Sequence, residues 1–156
     1  MNEGPDSRPL LVLEDNDEDF ATLQRLMRKQ GITNPVFRCI TGQQALDFLR
    51  HQGRYSDPAT APRPVLILLD LNVPGKDGRA VLQEIKSEEA LKHIPVAVIS
   101  TSANVKDVTF CYAHGANTYL VKPVDLTKLT RALGLFFEYW LTVSVLPEEP
   151  QRQPSV

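Results

Sequence analysis

The sequence predicts a doubly wound α/β domain made of five βα units, and three observations carry that expectation. Short apolar runs recur along the chain, longer stretches with helical spacing separate them, and the residues capable of chemistry gather just after the runs. Leu10-Leu11-Val12-Leu13 is the first run, continuous instead of alternating, as a parallel strand covered on both faces requires. Phe20, Leu23, Leu26 and Met27 then make one helical stripe. Val36-Phe37-Arg38-Cys39-Ile40 is a less continuous second strand, followed by a stripe of Ala45, Phe48 and Leu49. Residues 53–64, with three prolines and Tyr55, read as a long surface connection.

The remaining units follow the same order. Val65-Leu66-Ile67-Leu68-Leu69 leads to Val81, Leu82 and Ile85, and Val96-Ala97-Val98-Ile99 leads to Val105, Val108 and Cys111 or Tyr112, a helix ended by Gly115. Thr118-Tyr119-Leu120-Val121 precedes a last helix that Asp125 can cap and that carries Leu126, Leu129, Leu133, Phe136 and Trp140. Five units in about 130 residues favour an open sheet over a closed eight-stranded barrel. Residues 1–7 are expected to be disordered, 8–141 to form the domain, and 142–156 to be a partly disordered, Pro-rich extension too short for an output domain.

Composition narrows the function. The 156 residues include 17 Lys and Arg against 19 Asp and Glu, and no basic block provides the electrostatic footprint of nucleic-acid binding. No apolar run approaches the ~18 residues of a membrane span, and the start lacks a signal-peptide pattern, so a cytoplasmic protein is expected. Cys39 and Cys111 have no metal-ligand spacing and read as reduced, buried thiols.

In an open parallel sheet, ligands sit beyond the carboxyl ends of the strands. There the first strand ends in Glu14-Asp15-Asn16-Asp17, the third in Asp70-Leu71-Asn72, the fourth in Ser100-Thr101-Ser102 and the fifth in Lys122-Pro123. Singly, each has a plain reading as a helix cap, an Asx turn or a solvated loop residue. Together they place three carboxylates, a hydroxyl and an ammonium on one sheet edge, which independent caps have no reason to do. A hard divalent cation, Mg²⁺, resolves the repulsion of the carboxylates, and Asp70 can then attack phosphorus to form an acyl phosphate. Lys122 would neutralise the transferring oxygens and Ser100 would donate a hydrogen bond.

These motifs resemble the receiver domain of two-component response regulators. The likeness runs through Glu14-Asp15-Asn16, Asp70-Leu71-Asn72-Val73-Pro74-Gly75-Lys76-Asp77-Gly78, Ser100-Thr101-Ser102 and Lys122-Pro123. The resemblance implies a flavodoxin-like sheet in the order 2-1-3-4-5. It also implies that Asp70 is the phosphoacceptor, that Glu14, Asp15, Asp70 and the Asn72 backbone carbonyl hold Mg²⁺, and that Ser100 and Tyr119 are the switch pair. Lys122 becomes the phosphate-binding lysine before a cis-Pro123. The chain would then be no enzyme in the usual sense, but a phosphoprotein that assists its own phosphotransfer and dephosphorylation. Glu14 and Ser100 stand where the family commonly has aspartate and threonine. The longer Glu14 is expected to reach a metal through water, and Ser100 lacks the methyl that restricts χ1.

The segment around Tyr55 and the run from Phe136 to Pro147 are similar, more narrowly, to single-domain response regulators of cyanobacterial phytochrome histidine kinases. That likeness implies a phytochrome kinase as phosphoryl donor in a phosphorelay and output through the surface of the fourth helix, fifth strand and fifth helix. Leu133, Phe136, Phe137, Tyr139, Trp140 and Leu141 surround the last helix, so an exposed aromatic patch and a homodimer are expected unless residues 142–146 fold back over them. The alternatives are a pseudo-receiver that binds partners without phosphorylation, an aspartyl-phosphate phosphatase and an FMN protein. All the acids are present, however; Asn72 cannot serve as the phosphatase's general acid, and the acidic first loop would repel a flavin phosphate.

Overall fold

The computed structural model describes residues 7–149, in which five strands and five helices alternate. The order is β1 (Leu10–Leu13), α1 (Asp17–Lys29), β2 (Val36–Cys39), α2 (Gly42–Arg50), β3 (Leu66–Leu69), α3 (Gly78–Ser87), β4 (Val96–Ser100), α4 (Val105–Ala113), β5 (Thr118–Val121) and α5 (Leu126–Glu138). All pairings are parallel and the sheet runs β2-β1-β3-β4-β5, with Leu10 opposite both Val36 and Leu66 and Ala97 opposite Thr118. This is the doubly wound order 2-1-3-4-5 that the receiver resemblance implies, and the continuous apolar runs are the parallel strands covered on both faces. The disorder expected of residues 1–6 and 150–156 lies outside the described residues.

Because successive strand side chains point to opposite faces, each strand feeds two cores. Leu11, Leu13, Ile67, Leu69, Val96 and Val98 pack with α2, α3 and α4, whereas Leu10, Val12, Leu66, Leu68, Ala97 and Ile99 pack with α1 and α5. Phe137 is fully buried at the centre of the second core, and truncating such a ring costs about 3–5 kcal/mol. The α4 helix is anchored far more thinly, since Cys111 is its one buried side chain and Val105 and Tyr112 are exposed. Of the two residues that could have faced the core at this turn, Cys111 does so.

The helices begin where short polar side chains satisfy the first free N–H groups. Asn16, Thr41, Asp77, Asn104 and Asp125 each cap one of the five, Asp125 accepting from the Lys128 amide. Both cysteines are free and buried.

Three details depart from the sequence reading. The connection at 53–64 is not wholly superficial: Ala61 is fully buried, and the Tyr55 ring lies 5.2 Å from that of Phe48, with its hydroxyl 3.8 Å from Cys39 Sγ. The last helix presents less apolar surface than expected. It passes into a π-helical turn, Tyr139–Val143, closed by Ser144 N–H donating to Tyr139 O at 2.6 Å. Beyond that turn Leu146 joins the same core as Leu133, Phe136, Phe137 and Leu141, all of them buried, and only Tyr139 of the six is largely exposed. Finally, the Lys122–Pro123 bond is trans, as are all peptide bonds among the described residues. The intrinsic trans preference of the prolyl bond, about 0.5–1 kcal/mol, prevails as β5 leads to the Asp125 cap.

Candidate functional site

The carboxyl ends of β1, β3 and β5 converge on one acidic cleft. Its open cavity, about 510 Å³, is lined by Glu14, Asp15, Asp70, Asn72, Thr101 and Lys122 together with the first turn of α1. Glu14 is buried, Asp15 exposed and Asp70 between the two, yet one carboxylate oxygen of each lies within 4.8 Å of the others. Lys122 Nζ reaches Glu14 Oε1 at 2.5 Å, Asp70 Oδ2 at 3.1 Å and Asp19 Oδ2 at 3.1 Å. Thus an ammonium from β5 bridges carboxylates from β1, β3 and α1.

Local structure fixes each member. Asp70 follows β3 directly, and its Oδ1 accepts the Asn72 amide at 2.9 Å, an Asx turn that leaves Oδ2 toward Lys122. Gly78 backs this turn so closely that a Cβ there would stand 2.5 Å from the Asp70 carbonyl oxygen. Glu14 uses both oxygens within the protein, one on Lys122 and one accepting the Asn16 amide at 3.3 Å. The exposed Asp15 carboxylate is open to solvent by contrast.

The charges respond to this crowding. Burial, opposed by Lys122 and reinforced by Asp70, pushes the Glu14 carboxyl up to about 7. Burial also works to lower the Lys122 ammonium, but its bond to Glu14 and the charges of Asp70 and Glu14 outweigh it and hold the group above the ordinary lysine range. Three carboxylates with oxygen donors facing an open cleft fit a hard divalent cation, which prefers oxygen ligands and retains waters. Such an ion, when bound, would offset the carboxylate charge and attract a phosphoryl oxygen.

Ser100 and Tyr119 sit behind this cleft. Ser100 is fully buried and its Oγ accepts the Ser102 amide at 3.1 Å, while the Tyr119 hydroxyl donates to the Ser102 carbonyl at 2.8 Å. The structure therefore gathers Glu14, Asp15, Asp70, Asn72 and Lys122 in one cleft and links Ser100 to Tyr119 through Ser102. Two further residues were not singled out from sequence. Asp19 lies in the acidic run after β1, and its position one helical turn beyond Asp15 was the available signal. Arg38 donates from Nε to the Glu14 carbonyl at 2.9 Å, ion-pairs with Asp17 at 2.8 Å and lies 4.7 Å from the Phe20 ring centroid. Only the adjacency of β2 and β1 brings it there.

A five-stranded parallel sheet with this acidic cleft at its β1/β3 edge defines a receiver-type domain. The chain belongs to the response regulator receiver domain family, whose profile matches residues 10–134. It is 40% identical to response regulator Rcp1 of Synechocystis sp. over 138 residues, covering 88% of this chain and 92% of Rcp1. The crystal structure of the phosphorylated cyanobacterial phytochrome response regulator RcpA superposes with a TM-score of 0.84 at 39% identity, covering 91% of this chain and 99% of RcpA. The Mn²⁺-bound form of Rcp1 gives 0.86 at 38% identity, covering 92% and 100%. The chain is a response regulator of the receiver type, a phosphoacceptor class and not a conventional enzyme. Among the described residues, no helix is long and apolar enough to cross a membrane.

Proposed function

We propose that this chain accepts a phosphoryl group on Asp70 from the phosphohistidine of a phytochrome histidine kinase, in a Mg²⁺-dependent step. The observation that carries the reading is the Asp70 carboxylate held 3.1 Å from Lys122 Nζ at the mouth of the cleft, beside Glu14 and Asp15. As the Asp70 oxygen bonds to phosphorus, the P–N bond breaks and its electron pair returns to the imidazole ring. Lys122 balances charge on the equatorial oxygens, and fixed geometry supplies the in-line approach. Glu14, Asp15, Asp70 and the Asn72 carbonyl are the proposed Mg²⁺ ligands, Glu14 acting through water because both of its oxygens have protein partners.

The phytochrome pairing is supported by the 39% identity to RcpA, a phytochrome response regulator, across nearly its whole length. The proposed receiver unit is 8–141, followed by the extension 142–156. Ser100 and Tyr119 are the proposed switch, with output through α4, β5 and α5. Tyr112 of α4, Val121 of β5 and Leu126 and Leu135 of α5 are exposed, apolar groups suited to a second copy of the chain or a downstream protein. Phosphotransfer profiling against the histidine kinases of the source cell tests the pairing. Acid-stable, base-labile label that persists in Asp70→Asn overturns the phosphoacceptor assignment, and a kinetic preference for a non-phytochrome kinase overturns the light-signalling assignment alone.

A further inference from the structure

Ser102 is bonded through every polar group it has. Its amide donates to Ser100 Oγ at 3.1 Å, its carbonyl accepts the Tyr119 hydroxyl at 2.8 Å, and its own hydroxyl donates to Asp107 Oδ2 at 2.6 Å while accepting the Asn104 amide at 3.2 Å. Asp107, in the first turn of α4, uses its other oxygen for Arg79, whose Nε and Nη2 approach Oδ1 at 2.8 and 2.7 Å. Arg79 turns its remaining nitrogen to the Asp77 carboxylate, the cap of α3, at 3.1 Å. One continuous chain of hydrogen bonds thus runs from Ser100 and Tyr119 through the β4–α4 loop to α4 and across to α3.

The packing makes this chain consequential. With Cys111 its one buried side chain and Phe110 packing half-buried against the core, α4 has fewer buried residues than the other helices and both of these lie in its last turns, so polar contacts carry a large share of what fixes its first turn. The Arg79 and Asp107 side chains are 28% and 20% exposed, partly shielded and joined by a charge-assisted fork. Any rotation of Ser100 Oγ toward a phosphoryl oxygen must first leave the Ser102 amide, and Ser102 cannot follow while Asp107 and Tyr119 hold it.

We propose that Ser102, Asp107 and Arg79 are positioning residues that form a latch, holding the β4–α4 loop and α4 in the resting arrangement and opposing the movement of Ser100. This inference rests on the reading of Ser100 and Tyr119 as the switch. The latch costs the activated state part of its population, and a ligand that selects that state binds more weakly by the same fraction. Loosening the latch therefore strengthens binding of a phosphoryl mimic, the opposite of what general damage to the site would do.

The test is titration of the full-length, ¹⁵N-labelled chain with beryllofluoride in Mg²⁺ buffer, followed through the amide resonances including that of Ser102. Arg79→Met and Asp107→Ala are each expected to tighten the apparent Kd about fivefold, the range of a partly exposed, charge-assisted pair. Because Asp107→Ala already removes the Arg79 contact along with the bond from the Ser102 hydroxyl, the double variant should be no tighter than Asp107→Ala alone. Ser102→Ala, which keeps the amide to Ser100 but loses the hydroxyl to Asp107, should tighten binding as well. Unchanged or weakened binding in both single variants, or a double variant that multiplies their effects, overturns the latch. A wild-type chain that fails to bind beryllofluoride overturns the receiver switch reading, and the latch with it.

Discussion

Gly78→Ala should damage both stability and phosphotransfer, and the structure sets the size of each effect. A Cβ at residue 78 would stand 2.5 Å from the Asp70 carbonyl oxygen, 2.6 Å from Leu71 Cα and 3.0 Å from the Leu71 oxygen. Ordinary contact begins near 3.4 Å, so backbone must yield by about 0.9 Å, and no flexible side chain is available to absorb it. Alanine gains at most ~1 kcal/mol of helix propensity over glycine, and less at the first position of α3, whereas overpacking against backbone costs ~1–3 kcal/mol. The clash wins, giving a net loss of about 1–2 kcal/mol in urea unfolding. The displaced atoms are the Asp70 carbonyl oxygen and the backbone of Leu71 that follows it, and a shift approaching 1 Å carried to the reacting group costs about 10²-fold in rate. Phosphotransfer from a kinase phosphohistidine should fall accordingly. Gly134→Ala is the control. There a Cβ meets only the end of the Gln30 side chain, at 3.1 Å, so stability should hold or rise by up to ~1 kcal/mol with transfer unchanged. A Gly78→Ala chain as stable and as readily phosphorylated as wild type would refute the reasoning.

Divalent-cation affinity should fall further in Asp15→Ala than in Glu14→Ala, because Glu14 already spends both oxygens on Lys122 and the Asn16 amide. Calorimetric titration with Mg²⁺ reads this directly, and equal losses would count against it. Burial, eased by the Tyr55 hydroxyl, pushes the Cys39 thiol from 9.0 up to about 11. The unfolded chain therefore loses this proton first, and the contribution is intact below about pH 9 and lost as pH rises to 11, by at most ~2.7 kcal/mol. In Cys39→Ala this part of the alkaline loss should vanish, so parallel stability curves for the two proteins between pH 9 and 11 would contradict it. Sedimentation at tens of micromolar, with and without beryllofluoride, should reveal a dimer, and a monomer in both conditions removes the proposed homodimer.

Much of this molecule was legible in one dimension because its physics is local. Strands buried on both faces must be apolar throughout, which is why β1, β3 and β4 announce themselves, while β2, at the sheet edge with three partly exposed residues, reads less clearly. Asp70, Glu14, Asp15 and Lys122 were recognisable because strand ends are where a parallel sheet presents chemistry. Asp19 and Arg38 were not, since their approach to Lys122 and Glu14 depends on how α1 and β2 lie against β1. The aromatic end of α5 was misjudged for a different reason. Leu133, Phe136, Phe137 and Leu141 keep ordinary helical spacing on one face, and Leu146, beyond the π-helical turn at Tyr139–Val143, joins the same core, a return of the chain that no helical wheel contains. Ala61, which is buried, and Tyr55, which packs half-buried against the core, lie in a segment without any period, so nothing in the sequence marked them.

The division of the hydrophobic interior by the sheet bears on how such a domain can signal without unravelling. The helix α4 belongs to one core and α5 to the other, so the surface they share with β5 is a seam between two separately packed bodies. A shift of α4 draws on only one buried side chain of its own, Cys111, and leaves Phe137 and its neighbours beneath α5 in place. The seam can change contour while the opposite face serves as a fixed frame. Substitutions in the two interiors should accordingly add in their effects on stability, while pairs that straddle the seam should not.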